Sequence, residues 1–293
     1  MRKWIIGGVF LIMIGFVIVM ATRKPHPIRL TLIPDSHVVI HGEETGNLYV
    51  HLFINDRHPY MADMTWIRET YLENGDNRIP ITLESIVCQR EVKILEDSFY
   101  DFSYLFTIDF PQELLFDEVW LVFAFSFQDN IRVSIGSLSY YHRPPLDENL
   151  VRVTHIKGVF NKGTLQPLVG VLLELDGDEI LTITEFEILN HRVTLEEVIL
   201  LEDYLDTNEE YLALLSNHTF TSSFPIKIDN PKILLIPLKH LSNYPIGELA
   251  FRMILTNDSI TSTQIIDSFC FYRDAIQMVD VHQLVFYEFD LYQ

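Results

Sequence analysis

The chain has 293 residues, with 21 Lys and Arg against 41 Asp and Glu for a formal charge of −20, and 48% of its residues are hydrophobic. A surface so acidic is repelled by phosphate backbones and anionic lipid headgroups, which argues against nucleic acid as a partner. The apolar content argues equally against a disordered chain, and the length suits one large domain or two ordinary ones.

The N-terminus, MRKWIIGGVFLIMIGFVIVMATRK, holds no charge from Trp4 to Ala21. At about 1.5 Å per helical residue this run spans roughly 27 Å, close to the thickness of a bilayer's hydrocarbon core. Residues 1–24 therefore read as a transmembrane anchor or signal segment. Arg2 and Lys3 with Val19-Met20-Ala21 fit a cleaved signal peptide, but the apolar run exceeds the usual h-region and favours an uncleaved helix. Either reading exports the rest of the chain, and the uncleaved helix makes it a single-pass membrane protein with its bulk outside the cytoplasm.

Residues 25–143 read as a first β-sandwich domain. His37 and His41 fall on one side of a strand near Glu43 and Glu44, a pattern of ordinary surface histidines, and no metal is assigned to them. NLYVHLFIN (47–55) places Leu48, Val50, Leu52 and Ile54 on one side. WLVFAFSF (120–127) is apolar on both faces and reads as a central strand with Trp120 in the core, and IRVSIGSLSYY (131–141) alternates again. Between them, residues 56–80 have no counterpart later in the chain and read as an extra hairpin, turned at ENGDN (73–77). Such an elaboration is a natural seat for recognition, with Trp66, Arg68 and Tyr71 as the candidate partner-binding residues.

HRPPLDEN interrupts the pattern, so 144–149 reads as a short, stiff linker. The remaining 150–293 reads as a second sandwich, with LVGVLLEL, KILLIPL, ELAFRMILT and TQIIDSFCFY as strands and DGDE (176–179) as an acidic turn. In YLDTNEEYLALLSNHT, Thr207 and Glu210 have capping-box spacing and predict a short helix over about 208–216. QMVDVHQLVFYEFDLYQ (277–293) alternates and reads as a terminal strand completing this domain's own sheet.

Five phrases recur in order: TLESIVCQ with TEFEILNH, EVKILED with EVILLED, FTIDFP with IKIDNP, DEVWLVFAFS with GELAFRMILT, and SLSYYH with SFCFYR. The offset grows from 102 to 131, as for two copies of one unit with insertions in the later copy. EVKILED reads as a strand in the first copy, while the second copy fits helix or strand. The fold class is all-β: an N-terminal transmembrane helix followed by two tandem, duplicated, Ig-like antiparallel sandwiches, the second with an inserted helix.

No GxSxG elbow, HExxH, phosphate-cradling Gly-rich loop or CxxC pair occurs, so no catalytic residue, cofactor or metal is assigned. Cys88 and Cys270 lie in apolar runs and are expected as buried free thiols. The functional expectation is a membrane-tethered, non-enzymatic binding or adaptor protein acting on another envelope or membrane protein. The alternative is an extracytoplasmic ligand-binding module for carbohydrate or, through the acidic turn, calcium.

Overall fold

A computed structural model describes residues 27–42, 45–126, 128–143, 151–161, 168–177, 180–195, 197–217, 224–241, 246, 248–257, 261–270 and 284–289. The expected anchor, 1–24, and the linker, 144–149, lie outside the described residues. Among the described residues no helix is long and apolar enough to cross a membrane.

The first part of the chain contributes β1 (Ile28–Leu32), β2 (Asp35–His41), β3 (Gly46–Ile54), β4 (Ile67–Asn74), β5 (Asn77–Ile94), β6 (Asp97–Ile108), β7 (Leu114–Phe125) and β8 (Ile131–His142). They pair in the order β1-β3-β6-β5-β4-β7-β8-β2. One strand turns this series into a sandwich. The first residues of β5 pair with β4, from Asn77 to Ile81, and the rest pair with β6, from Thr82 to Ile94. β5 thus leaves one layer and enters the other. Alternate side chains of both layers then face each other, and Leu48, Val50, Leu52, Tyr104, Phe106, Leu121 and Phe123 are all nearly inaccessible.

The strand expectations at 47–55, 120–127 and 131–141 hold, with β7 central between β4 and β8. Trp120 departs from its expected place. It is half-buried on the outer side of β7, with the Arg132 guanidinium 4.1 Å above its ring, because Leu121, Phe123 and Phe125 take the inward positions.

The second part supplies β9 (Val151–Phe160), β10 (Leu168–Gly177), β11 (Leu181–Ile188), β12 (Val193–Leu195), β13 (Ile199–Leu201), α1 (Asn208–Asn217), β14 (Ile226–Ile228), β15 (Lys232–His240), β16 (Glu248–Thr256) and β17 (Thr261–Cys270). One sheet runs β12-β15-β10-β9 with β13 also on β15, and the other β14-β11-β16-β17. Their apolar faces enclose a separate core that includes Leu173, Leu234, Phe251 and Met253.

The core strands of the two sandwiches share one connectivity, while the flanking strands differ: the start of β5 lies beside β4 and β2 beside β8 in the first, and β14 lies beside β11 in the second. The first, second and fifth strands of an immunoglobulin-type sandwich, with the fourth beside the fifth, make one layer, and the third, sixth and seventh make the other. In that frame EVKILED and EVILLED both occupy the fourth strand, and the phrases in β7/β16 and β8/β17 also coincide. The other two do not: TLESIVCQ lies in β5 and TEFEILNH in β11, a third strand, while FTIDFP ends β6 and IKIDNP precedes β15. The extra helix is where the spacing put it. Thr207 Oγ1 accepts from the Glu210 N–H, and Glu210 Oε2 accepts from the Thr207 N–H at 2.9 Å, a reciprocal capping box.

A final strand, β18 (Val285–Phe289), corrects the expectation that the terminus completes the second sandwich. It pairs antiparallel with β1, from Ile28 opposite Phe289 to Leu32 opposite Val285. The reason lies in the first sandwich's open side. β8 carries a bulge before Gly136, whose φ of +104° and contact with Asp35 leave no room for a Cβ, and β2 pairs with β8 only from Gly136 onward. Among the described residues the earlier part of β8 therefore has a free edge, and the Ser134 N–H there donates to the Tyr287 hydroxyl at 2.9 Å while Tyr287 and Phe289 pack on the first core.

The sandwiches also meet directly. Val38 and Tyr141 pack with Leu189, Ala250 and Ile265. Around them Ser36 Oγ donates to Asn190 Oδ1 (2.9 Å) and the Val38 N–H to Glu248 Oε2 (2.9 Å). The Ser139 hydroxyl accepts from the His191 N–H at 3.1 Å and donates to His191 Nδ1 at 2.7 Å, so that ring's Nε2–H points to Asp117 at 3.2 Å.

Candidate functional site

The chain between β3 and β4 crosses from one layer to the other, and its fixation follows from one apolar side chain. Met61, in a 3-10 turn at Tyr60–Ala62, has no accessible surface and plugs the upper end of the first core. The Tyr104 hydroxyl donates to its carbonyl at 3.3 Å. Tyr60 meets Phe125 edge-on at 5.1 Å and bonds Gln128 beyond β7; burial raises its hydroxyl pKa, and the Gln128 bond partly offsets this.

After this plug the chain makes a second, self-bonded turn. Asp63 Oδ1 accepts from both the Thr65 N–H (2.9 Å) and the Thr65 hydroxyl (2.7 Å), and the Trp66 N–H donates to the Asp63 carbonyl at 3.1 Å. The Thr65 hydroxyl and amide, and then the Trp66 side chain, hold the Asp63 carboxyl below the usual carboxylate range. Trp66 is therefore positioned from both ends, yet its side chain remains 52% exposed.

Trp66 stands on the rim of a groove of about 1170 Å³. Arg57 to Asp63 form one wall; Ile86 and Cys88 to Glu91 of β5 form the other; Tyr100 and Phe102 of β6 form the floor. The groove exists because β5, once past Ile81, has β6 on one side and no strand on the other among the described residues. Arg57 and Arg90 are balanced among its lining residues by Asp63 and Glu91, so it is close to neutral on a chain of charge −20.

Of the three expected binding residues, only Trp66 belongs to this groove. Arg68 is exposed at the start of β4 but does not line it. Tyr71 is 5% exposed on the outer face of its sheet, with the Arg78 guanidinium 3.4 Å over its ring and its hydroxyl accepting from Asn130. The expected extra hairpin also needs correction. β4 is a structural strand matched in the second sandwich by β11, so the elaboration proper is the connection up to Trp66.

Cys88 overturns the expectation of a buried thiol: it is free and exposed, lining the groove, since neither face of β5 is covered there by a second sheet. The Cys270 side chain lies outside the described residues. A readable sign of the groove was SIVCQREV, in which apolar residues lack the strict alternation of a half-buried strand. The other motifs have structural partners. His37 is not the surface histidine expected: it is buried and its Nε2 bonds the Ile135 carbonyl at 3.1 Å, while His41 meets His142 edge-on at 4.9 Å and Tyr140 at a tilt at 6.1 Å. Asp176 of the acidic turn pairs with Arg152 at 3.2 Å, and Asp178 and Glu179 lie outside the described residues.

No protein-family model and no curated protein matches the sequence. Among solved structures the chain is similar to the "D00-D0 domain of Intimin", with 9% identity and a TM-score of 0.23 over 83% of this chain and 98% of that one. At that score the likeness carries no function, and the β-sandwich description rests on the strand pairing itself.

Proposed function

We propose that the protein is a membrane-tethered, extracytoplasmic binding or adaptor protein whose groove beside Trp66 receives another envelope or membrane protein. The observation that carries this reading is the exposure of a tryptophan on a turn bonded to itself through Asp63 and Thr65. An aromatic ring held rigidly in water loses little entropy on binding and gains a large apolar contact, which is the behaviour of an interface hot spot. The uncharged run from Trp4 to Ala21 supports the tether, and the common connectivity of the sandwiches' core strands supports their origin by duplication.

The test has two arms. A photoreactive residue at position 66 of the membrane-resident protein is crosslinked, the adduct is identified by mass, and the purified partner is titrated against wild type and Trp66→Ala. Loss of at least about 2 kcal/mol of binding, some thirtyfold in affinity, is expected with an unchanged melting temperature. An affinity equal to wild type removes the groove from the interface. Protease added to cells stripped of their wall and any outer membrane is expected to digest the sandwiches from outside; full protection would overturn the orientation.

A further inference from the structure

β5 lines the groove in an unusual manner. Cys88, Gln89, Arg90 and Glu91 all line it, because the register with β6 shifts between Cys88 and Arg90 and this bulge interrupts the strand's alternation. Past Ile81 the side of β5 away from β6 carries no strand among the described residues. The wall opposite is the Arg57–Asp63 connection, which makes no strand with β5 among the described residues. A row of β5 backbone groups therefore faces the groove without a ladder partner, a ready template for another strand.

Three further observations specify the occupant. The volume, about 1170 Å³, exceeds the range of roughly 300–1000 Å³ typical of small-molecule pockets and suits a peptide segment. The floor side chains, Ile86, Tyr100 and Phe102, lie on the inward, apolar side, so every second residue of an added strand would meet a hydrophobic surface. Arg57 has no carboxylate partner among the described residues, whereas Arg29, Arg78, Arg132, Arg152, Arg192 and Arg252 each have one. Elsewhere the same layer already accepts a short remote strand at its opposite edge, where β18 sends Tyr287 and Phe289 inward and Phe286 and Glu288 outward.

We infer that the free edge of β5, from Ser85 to Glu91, is a strand-addition site for an extended segment of the partner protein, alternating apolar residues toward Tyr100 and Phe102 and carrying an acidic residue opposite Arg57. This rests on the reading of the groove as the partner site and supplies its chemistry: main-chain hydrogen bonds give affinity and the alternate side chains give selectivity. Trp66 closes over the segment from the opposite rim.

The probe is a phage-displayed random dodecapeptide library selected on the immobilised full-length protein and counter-selected on Trp66→Ala. The selected peptides are then tested by hydrogen exchange at single-residue resolution. From Ser85 to Cys88 the register with β6 is unbroken, so two of these four amides bond β6 and exchange slowly, while the two facing the groove exchange fast. The expected result is a set of alternating apolar, acid-containing peptides that slow the two fast amides at least tenfold and bind at least fivefold more weakly to Arg57→Ala. The inference is overturned if no Trp66-dependent peptide emerges, or if such peptides bind and leave both fast amides unchanged. A partner crosslinked at position 66 that likewise leaves them unchanged sinks strand addition while the wider reading stands.

Discussion

Met61 is the residue on which the groove depends for its shape. Its side chain fills the end of the first core, and the turns on either side of it place Tyr60 on Phe125 and Trp66 on the rim. Truncation to alanine removes buried methylene and sulfur contacts and leaves a cavity, so Met61→Ala is expected to cost about 2–5 kcal/mol in urea unfolding. If the connection is held by this plug, the same variant also accelerates exchange of the Thr65 and Trp66 amides; unchanged exchange there would mean that the Asp63 turn is self-sufficient. At this scale the sequence was a partial guide. Trp66 stood out because it lies in 56–80, a stretch with no counterpart later in the chain and so not required by the repeated core. Arg68 and Tyr71 were grouped with it by proximity, but a bulge between Ile67 and Glu69 and the alternation along β4 send them elsewhere. Which face of a strand another sheet covers is a long-range fact, and the covering of Tyr71 by Arg78 depends on the partner strand β5.

Elements with a local cause were the legible ones. The helix α1 begins where Thr207 and Glu210 cap it, and Thr207→Ala is expected to cost about 1 kcal/mol, read as fraying of α1 by exchange with the sheets unaffected. β3 and β8 were readable because period-two alternation is written in each strand itself, and β7 because an unbroken apolar run marks a strand buried on both faces. β18 was readable as a strand but not in its destination, since alternation says nothing about which edge receives it. That choice is made by Ser134, whose N–H on the free edge of β8 finds its acceptor in the Tyr287 hydroxyl, and by burial of the phenol ring, which raises the Tyr287 pKa. Tyr287→Phe keeps the ring and deletes the acceptor. It is expected to lose about 1–2 kcal/mol, because a largely buried donor is left unpaired, and to speed exchange along β1. A neutral result would show that β18 is held by its ladder alone.

For the molecule as a whole, the junction of the two sandwiches makes stability depend on pH in a calculable direction. His37, beside Val38 in that junction, is fully enclosed. Its Nε2–H donates to the Ile135 carbonyl, and its Nδ1 lies 3.8 Å from Glu248 Oε2, which already accepts from the Val38 amide. Burial outweighs the Ile135 bond and, with a smaller contribution from His51, lowers the His37 pKa from 6.5 to about 4. Above pH 6.5 the ring is neutral in folded and unfolded chains, and it contributes no pH dependence. Between 6.5 and about 4 the unfolded chain takes up a proton that the folded one refuses, so stability falls as pH falls and levels out below about 4. A gap of that size corresponds to about 3 kcal/mol. His191 and His240 are lowered mainly by burial as well and add in the same sense, whereas the depressed carboxyls of Asp63 and Asp229 titrate below their ordinary 3.8 and act in a lower window. The expected measurement is a urea midpoint that is level from pH 8 to 7 and drops between 6.5 and 4. In His37→Gln, which keeps an N–H for Ile135 but cannot titrate, the drop becomes shallower. An identical slope in that variant would mean that His37 takes up its proton in place, with Glu248 as its counter-ion, and that burial does not control the junction.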